Sequence, residues 1–299
     1  LLVILSKILP LCVWLMDLLP DVSVIITMYN SASFVEHAIQ SVLQQESHGL
    51  NIEIIVVDDG STDASCQVVE NINNPAIRLI PLPVNGGQAL ARNEGLKEAK
   101  GQWIQFLDSD DRISHDLYQK FEKKLQPGIT CYLFSFIRES TAHTLRQTIT
   151  PIEDKRAFGH FGGSACNKFI HKNICLPFKP FRNSDICFTV DMMNEATLNM
   201  ALIPDAYYLY NKKNEHSITS LFDKVEFQRM FNYLLDQIAK SDRWTRMYIL
   251  EMGIAFLFDR NIPLAVSTRK AFLSILRLYS YLPAVITNQN RHFIKNESM

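Results

Sequence analysis

The stretch Ile52-Glu53-Ile54-Ile55-Val56-Val57-Asp58-Asp59-Gly60-Ser61-Thr62-Asp63 decides the fold. A run of β-branched residues, Ile52 to Val57, breaks into carboxylates, a glycine and hydroxyls, and Val68 and Val69 then mark a short helix. Strand, polar turn and helix in that order form half of a β-α-β unit. The pattern recurs on both sides. Upstream, Val22 to Thr27 reads as a strand ending toward Asn30. A helix follows from Ser33, with Glu36 three residues on in a capping-box spacing, and Phe34, Val35, Ala38, Ile39, Val42 and Leu43 on one face. Downstream, Ile77 to Leu82 leads into Asn85-Gly86-Gly87, and a helix from Ala89 to Lys100 stops at Gly101. A fourth strand, Trp103 to Leu107, runs straight into Asp108-Ser109-Asp110-Asp111, before a helix from Ser114 to Leu125 and a strand from Tyr132 to Ile137.

Alternating strands and helices predict a parallel α/β sheet. In such sheets ligands bind outside the carboxyl ends of the strands, so Thr27 to Asn30, Asp58 to Asp63 and Asp108 to Asp111 are expected to converge. From Leu221 the pattern is mostly helical, with Phe227, Met230, Phe231, Leu234 and Leu235 on one face. There is no internal repeat.

The 299 residues suit one large α/β domain with a helical appendage. Hydrophobic residues make up 47%, and Gly and Pro number only 11 and 12, which excludes disorder and collagen-like repeats. Lys and Arg total 30 against 31 Asp and Glu, so the overall balance does not call for DNA or another polyanion. The six cysteines, Cys12, Cys66, Cys131, Cys166, Cys175 and Cys187, form no CxxC pair, which argues against a zinc site or a disulfide framework and for a reducing compartment.

Leu1 to Pro20 is strongly apolar, but Lys7 and Asp17 interrupt it, Pro10 would break a helix, and Ile8 to Met16 is too short to span a bilayer. No small-residue cleavage site precedes Asp21. We expect residues before Met16 to be an extended reading of the gene.

Asp108 and Asp110 place two carboxylates two residues apart just past a strand. Hard oxygen ligands of this kind suit Mg²⁺ or Mn²⁺, above all where a diphosphate completes the coordination. An EF-hand loop counted from Asp108 fails, because Ile113 stands where the glycine belongs and Gln119 where the bidentate glutamate belongs. Helix capping is the plain alternative for these aspartates.

Four ordered segments, Val24 to Asn30, Asp58 to Asp63, Asn85-Gly86-Gly87 with Ala91-Arg92-Asn93-Glu94-Gly95-Leu96, and Leu107 to Asp111, together resemble the inverting family 2 glycosyltransferases. The likeness is dense from Asp21 to Leu125 and thinner beyond. It implies a GT-A fold, a Rossmann-like mixed sheet flanked by helices, that binds a nucleotide-diphosphate sugar, most often a UDP-sugar, with one divalent metal. The implied domains are an apolar leader over 1–20, a catalytic domain over 21–220 whose donor side ends at 125, and a helical region over 221–299.

By the resemblance, Asp58 or Asp59 contacts the uracil, Asp108 the ribose, and Asp110, of the DXD motif, the metal that bridges the phosphates. Asp111 supports that site. Arg92, Asn93 and Ser109 lie along the nucleotide, and Thr27 and Asn30 along its cradle. An inverting transfer also needs a base on the far side of the sugar. The family places it in a Glu-Asp pair at a helix start, and the matching segment here is Phe181-Arg182-Asn183-Ser184-Asp185, with Ser184 in place of the usual Glu. Asp185 is therefore the expected base and Asp191 the fallback.

Cys166-Asn167-Lys168-Phe169-Ile170 is similar to a Trp-Asn-Lys-Leu pattern of members that build bacterial surface polysaccharides, and Tyr208-Leu209-Tyr210 with His216-Ser217-Ile218-Thr219 to a Tyr-x-Tyr and Ser-Ile-Thr pattern. The likeness makes His216, Ser217 and Lys212 or Lys213 candidate phosphate contacts. It makes Lys168 a candidate acceptor contact, with a surface charge beside the acceptor cleft as the plain alternative. From Arg260 onward, six basic residues stand against the single acid Glu297, interleaved with apolar residues from Phe272 to Leu282. Such a surface suits anionic lipid, or equally a helix with a solvated basic face.

The expected function is transfer of one hexosyl or N-acetylhexosaminyl unit from a UDP-sugar to a bacterial glycan, such as lipopolysaccharide O-antigen or capsule. The expected place is the cytoplasm, peripherally at the inner face of the membrane where the acceptor is lipid-linked. Transfer to a polyprenyl phosphate, or a non-catalytic sugar-nucleotide binder on the same fold, are the alternatives.

Overall fold

The computed structural model describes residues 19–46, 49–139, 144–147, 164–181, 184–211, 224–258 and 297–298. The apolar leader before Leu19 and the basic stretch from Arg260 to Lys295 lie outside these residues.

A parallel core forms first in the chain. Strand β1 (Val22–Met28) is buried along its whole length, so both faces are covered and its sequence is a near-continuous apolar run. Strand β2 (Ile52–Asp58) pairs with it on one side and β4 (Trp103–Asp108) on the other, both parallel, and β3 (Ile77–Pro81) pairs parallel with β2. The carboxyl ends of three strands thus lie side by side, with Met28 opposite Asp58 and Thr27 opposite Asp108.

Beyond β4 the sheet turns mixed. Strand β8 (Lys168–His171) runs antiparallel to β4 and to β6 (Cys131–Glu139), and β6 pairs antiparallel with β7 (Thr144–Gln147). The long strand β9 (Met200–Asn211) lies parallel to β6 and antiparallel to the two-residue β5 (Arg112–Ile113). A short β10 (Glu297–Ser298) flanks β7. The expected mixed α/β sheet flanked by helices is what the chain forms.

Helices α1 (Val35–Leu43) and α2 (Ser65–Ile72) connect β1 to β2 and β2 to β3, while α3 (Gln88–Glu98) carries the chain back across to β4. Right-handed crossovers put α1 and α2 on one face and α3 on the other. Gly95 of α3 sits where a Cβ would come within 2.5 Å of Ile25 Cγ2 and 3.2 Å of Val57 Cγ2, so the helix lies unusually close to the sheet. After α4 (Leu117–Lys124), helix α5 (Ser184–Asn194) packs on α6 (Lys224–Ile238) and α7 (Arg243–Phe258). In α6, Met230, Phe231 and Leu234 are buried, and Leu235 is partly so. Among the described residues no helix is long and apolar enough to cross a membrane.

Two expectations about helix ends are corrected. No capping box forms at Ser33 and Glu36, because α1 begins later, with Phe34 at its cap position and no side-chain cap. The Ser31 carbonyl takes the Phe34 and Val35 N–H groups, and the Ala32 N–H goes to Asp63, so the polar groups before α1 are spent on tying loops together. Nor does Gly101 end α3. The helix stops at Glu98 with Ala99 extended, and Gly101 is small because a Cβ there would fall 2.5 Å from the Ser23 backbone nitrogen.

Helix propensity alone favours Ala over an interior Gly by about 1 kcal/mol. Gly95→Ala should nevertheless destabilise the protein by about 1–3 kcal/mol, because the added methyl forces α3 off Ile25 and Val57. A urea midpoint that rises in this variant would contradict the close approach.

Candidate active site

Backbone register brings the first three polar clusters together, and side chains then stitch them. Asn30, held in the left-handed region at φ 50°, accepts the Thr62 N–H at 2.8 Å on its Oδ1, while its own N–H donates to Ser61 Oγ. Ser31 Oγ meets Ser109 Oγ at 2.8 Å, which joins the end of β1 to the end of β4. Asp59 receives the N–H of Gly86 on one oxygen and of Gly87 on the other, each at 2.8 Å. The Asn85-Gly86-Gly87 turn is thereby held against the Asp58 to Asp63 turn.

Two buried oxygens at the ends of β1 and β2, Thr27 Oγ1 and Asp58 Oδ1, have no hydrogen-bond partner by distance and angle among the described residues, although the Cys66 thiol of α2 lies against Asp58. Asp58 accepts the Ser61 N–H on its other oxygen. Burial pushes the Asp59 carboxyl above its ordinary value, the two glycine N–H groups pull it down, and the Asp58 charge adds to the rise.

Past β4, the three aspartates differ in what they touch. Asp108 Oδ1 accepts from Gln88 Nε2 at 2.9 Å and from an Arg92 guanidinium nitrogen at 2.8 Å. Asp110 is half-buried. Asp111 is fully buried and has both oxygens engaged, by the Tyr208 hydroxyl at 2.6 Å and the Asn211 N–H at 2.8 Å. Burial, together with the neighbouring Asp108 and Asp110 charges, pushes the Asp111 carboxyl up to about 8. Among the described residues no group of three or more His, Cys, Asp or Glu side chains could enclose an ion. The donor set nonetheless fits a hard cation whose remaining ligands come from substrate, because the side chains past β4 offer carboxylate oxygens.

Arg92 and Asn93, expected along the nucleotide, each bind partners from the second half of the chain. Arg92 is sealed from water, with a side chain 1% exposed, and reaches Asp108 with one terminal nitrogen and Asp185 with the other. Its guanidinium lies over the Phe178 ring, 5.0 Å from the centroid. Both carboxylates keep about a quarter of their surface open, 26% for Asp108 and 25% for Asp185. Asn93 clamps the Phe178 backbone, donating to its carbonyl at 2.9 Å and accepting its N–H at 2.7 Å. Nothing in local sequence pattern signals these jobs, since the partners lie 85 and 93 residues further along.

Asp185 sits in the first turn of α5 and faces Arg92. Asp191, six residues on, turns away and accepts the Tyr233 hydroxyl of α6. Burial pushes the Asp185 carboxyl above its usual range; Arg92 opposes this, Asp108 adds to it, and Lys168 counts against it. Ser184 is buried, and its hydroxyl has no partner among the described residues.

Lys168 is not a surface charge. It is fully buried, and its ammonium donates to Asn167 Oδ1 at 2.8 Å and to the Ser164 carbonyl, while burial lowers it to about 8. His216 and Ser217, with Lys212 and Lys213, lie outside the described residues. A groove of about 860 Å³ beside α1, α4 and β9 is lined by residues such as Glu36, His37, Arg112, His115 and Tyr207, and by none of the expected site residues.

Comparison with known proteins adds ancestry to this geometry. Among curated proteins, the succinoglycan biosynthesis protein ExoO of Rhizobium meliloti is 46% identical over 100 residues, 33% of this chain and 28% of that one. The putative teichuronic acid biosynthesis glycosyltransferase TuaG of Bacillus subtilis is 40% identical over 109 residues, 36% of this chain and 41% of that one. The matched stretch therefore spans less than half of either relative. In shape, the chain is similar to S. aureus TarS 1–349 in complex with UDP-GlcNAc, at a TM-score of 0.67 and 20% identity, covering 86% of this chain and 79% of that one. It is also similar to the mannosyltransferase PcManGT of Pyrobaculum calidifontis in complex with GDP-Man and Mn2+, at a TM-score of 0.58 and 17% identity, covering 91% and 81%. At those identities the likeness is one of fold. The family described as Glycosyl transferase family 2 matches residues 23–186, more than half of the chain and the whole span from β1 to the start of α5, and the chain belongs to that family.

Proposed function

We propose that the chain moves a single sugar from a UDP-sugar to a glycan acceptor, with inversion, in the cytoplasmic assembly of a bacterial surface polysaccharide. The observation that carries the reading is the pairing of Asp108 and Asp185 through one buried arginine, which sets a donor-side carboxylate and a candidate base a guanidinium apart. The ExoO and TuaG relatives support the polysaccharide context, and the TarS complex supports a UDP-sugar.

In the reaction, a hydroxyl oxygen of the acceptor forms a bond to the anomeric carbon as the bond to the diphosphate breaks, and the diphosphate leaves with the electron pair. Asp185, charged and partly open, accepts the hydroxyl proton. Asp110 would hold a divalent cation, which when bound would supply positive charge to the departing diphosphate. Asp111, tied to Tyr208 and Asn211, keeps the turn beneath Asp110 rigid. Thr27 and Asp58 stand at the carboxyl ends of β1 and β2, beside the turns that would receive the nucleoside.

Purified protein incubated with a panel of UDP-, GDP- and dTDP-sugars and Mn²⁺ should release nucleotide from a UDP-sugar. EDTA or Asp110→Ala should lower the release by about 100-fold or more. UDP binding without turnover of any donor, with water or glycan acceptors, would replace the enzyme by a sugar-nucleotide binder. Asp185→Asn should keep UDP affinity, measured by calorimetry, and cut turnover by about 100- to 10,000-fold. Wild-type turnover in Asp185→Asn removes it from the role of base.

A further inference from the structure

Arg92 is a fully buried cation that touches both Asp108 and Asp185, and three features show that it is built in. Its guanidinium divides between two carboxylates that come from different parts of the chain, Asp108 at the end of β4 and Asp185 at the start of α5. Phe178 covers its face at 5.0 Å and Phe106 lies at 6.0 Å, so the plane of the fork is set by packing. The next residue, Asn93, fixes the Phe178 backbone by two hydrogen bonds, and Cys166 Sγ lies 3.6 Å from the guanidinium.

We propose that Arg92 is a positioning residue for sugar transfer, a shared counter-ion that keeps Asp185 ionised and holds it at a fixed offset from Asp108. The proposal rests on the reading of Asp185 as base. Water reaches the two carboxylates but not the cation, so the ion pairs are only weakly screened and the offset does not depend on a mobile surface chain. A lysine cannot reproduce the arrangement, because one ammonium lacks the planar fork that serves two carboxylates at once and stacks on a ring.

The charged and titratable groups facing Asp185 are Arg92 on α3, Asp108 on β4, Cys166 before β8 and Lys168 on it. The sign of each effect follows. The Arg92 charge favours the carboxylate, so weakening it raises the pH at which Asp185 becomes a base. The Asp108 charge disfavours it, so neutralising Asp108 leaves Arg92 to Asp185 alone and lowers that pH.

The test is the pH dependence of kcat for UDP release to water, at saturating levels of the UDP-sugar and Mn²⁺ that the panel identifies. Asp185→Asn comes first. If it turns over like wild type, the base reading fails and takes this inference with it; if it is inactive while binding UDP, the base reading stands and the Arg92 variants decide. Arg92→Lys should lower kcat by about 10- to 100-fold and move the acid limb up by about one pH unit. Asp108→Asn should raise the KM for donor and move the acid limb of kcat down. A purely structural Arg92 would scale activity with the folded fraction and leave the limb in place. An acid limb that fails to move in its stated direction in either folded variant overturns the proposal, and Asp108→Asn carries the test alone where Arg92→Lys does not fold.

Discussion

A guanidinium with 1% of its side chain exposed, shared by Asp108 and Asp185 and covered by Phe178, is the constraint on which the rest of the site depends. Moving an arginine out of water costs several kcal/mol unless charged partners meet it with good geometry. Here two carboxylates meet it, and each is delivered by a separate element. The parallel core brings Asp108, because β4 pairs with β1 in a register that ends both strands together. The second half of the chain brings Asp185, through a segment pinned at Phe178 by Asn93 and continued into α5. Losing either carboxylate would leave a buried charge half-compensated, so the ion pairs hold the two halves in one arrangement.

The donor side is organised on a different principle. Its clusters are joined mainly by hydrogen bonds between loops: Asn30 to Thr62, Asp63 to Ala32, Asp59 to Gly86 and Gly87, Ser31 to Ser109. Each bond is worth about 1 kcal/mol net. Their value lies in number and direction, since they tie four turns together at the carboxyl ends of the strands. Past β4, burial first and then the neighbouring Asp108 and Asp110 charges raise the Asp111 carboxyl.

The sequence made the parallel core legible because the signal is local. Apolar runs such as Val22 to Thr27 and Ile52 to Val57 can be read one strand at a time, and the rule that ligands gather at strand ends predicts their meeting point. What pattern reading missed depends on distant partners. The contacts of Arg92 with Asp185 and of Asn93 with Phe178 reach residues that local pattern does not connect to them. For Lys168, a candidate acceptor contact, the alternative of a surface charge falls once β8 is found between β4 and β6. Ser33 and Glu36 have capping-box spacing, yet neighbouring loops compete for the same backbone groups and win. Asp185 and Asp191 were both open from sequence; the turn of α5 sends one to Arg92 and the other to Tyr233.

The double clamp of Asn93 on the Phe178 backbone acts together with the ion pair of Arg92 and Asp185. The chain is fastened at Phe178 and again at Asp185, both to consecutive residues of one helix, so the seven-residue step between them has fixed endpoints. The spacing of the Asp185 carboxylate from α3 is thereby set by the two ends of the step rather than by what lies between them.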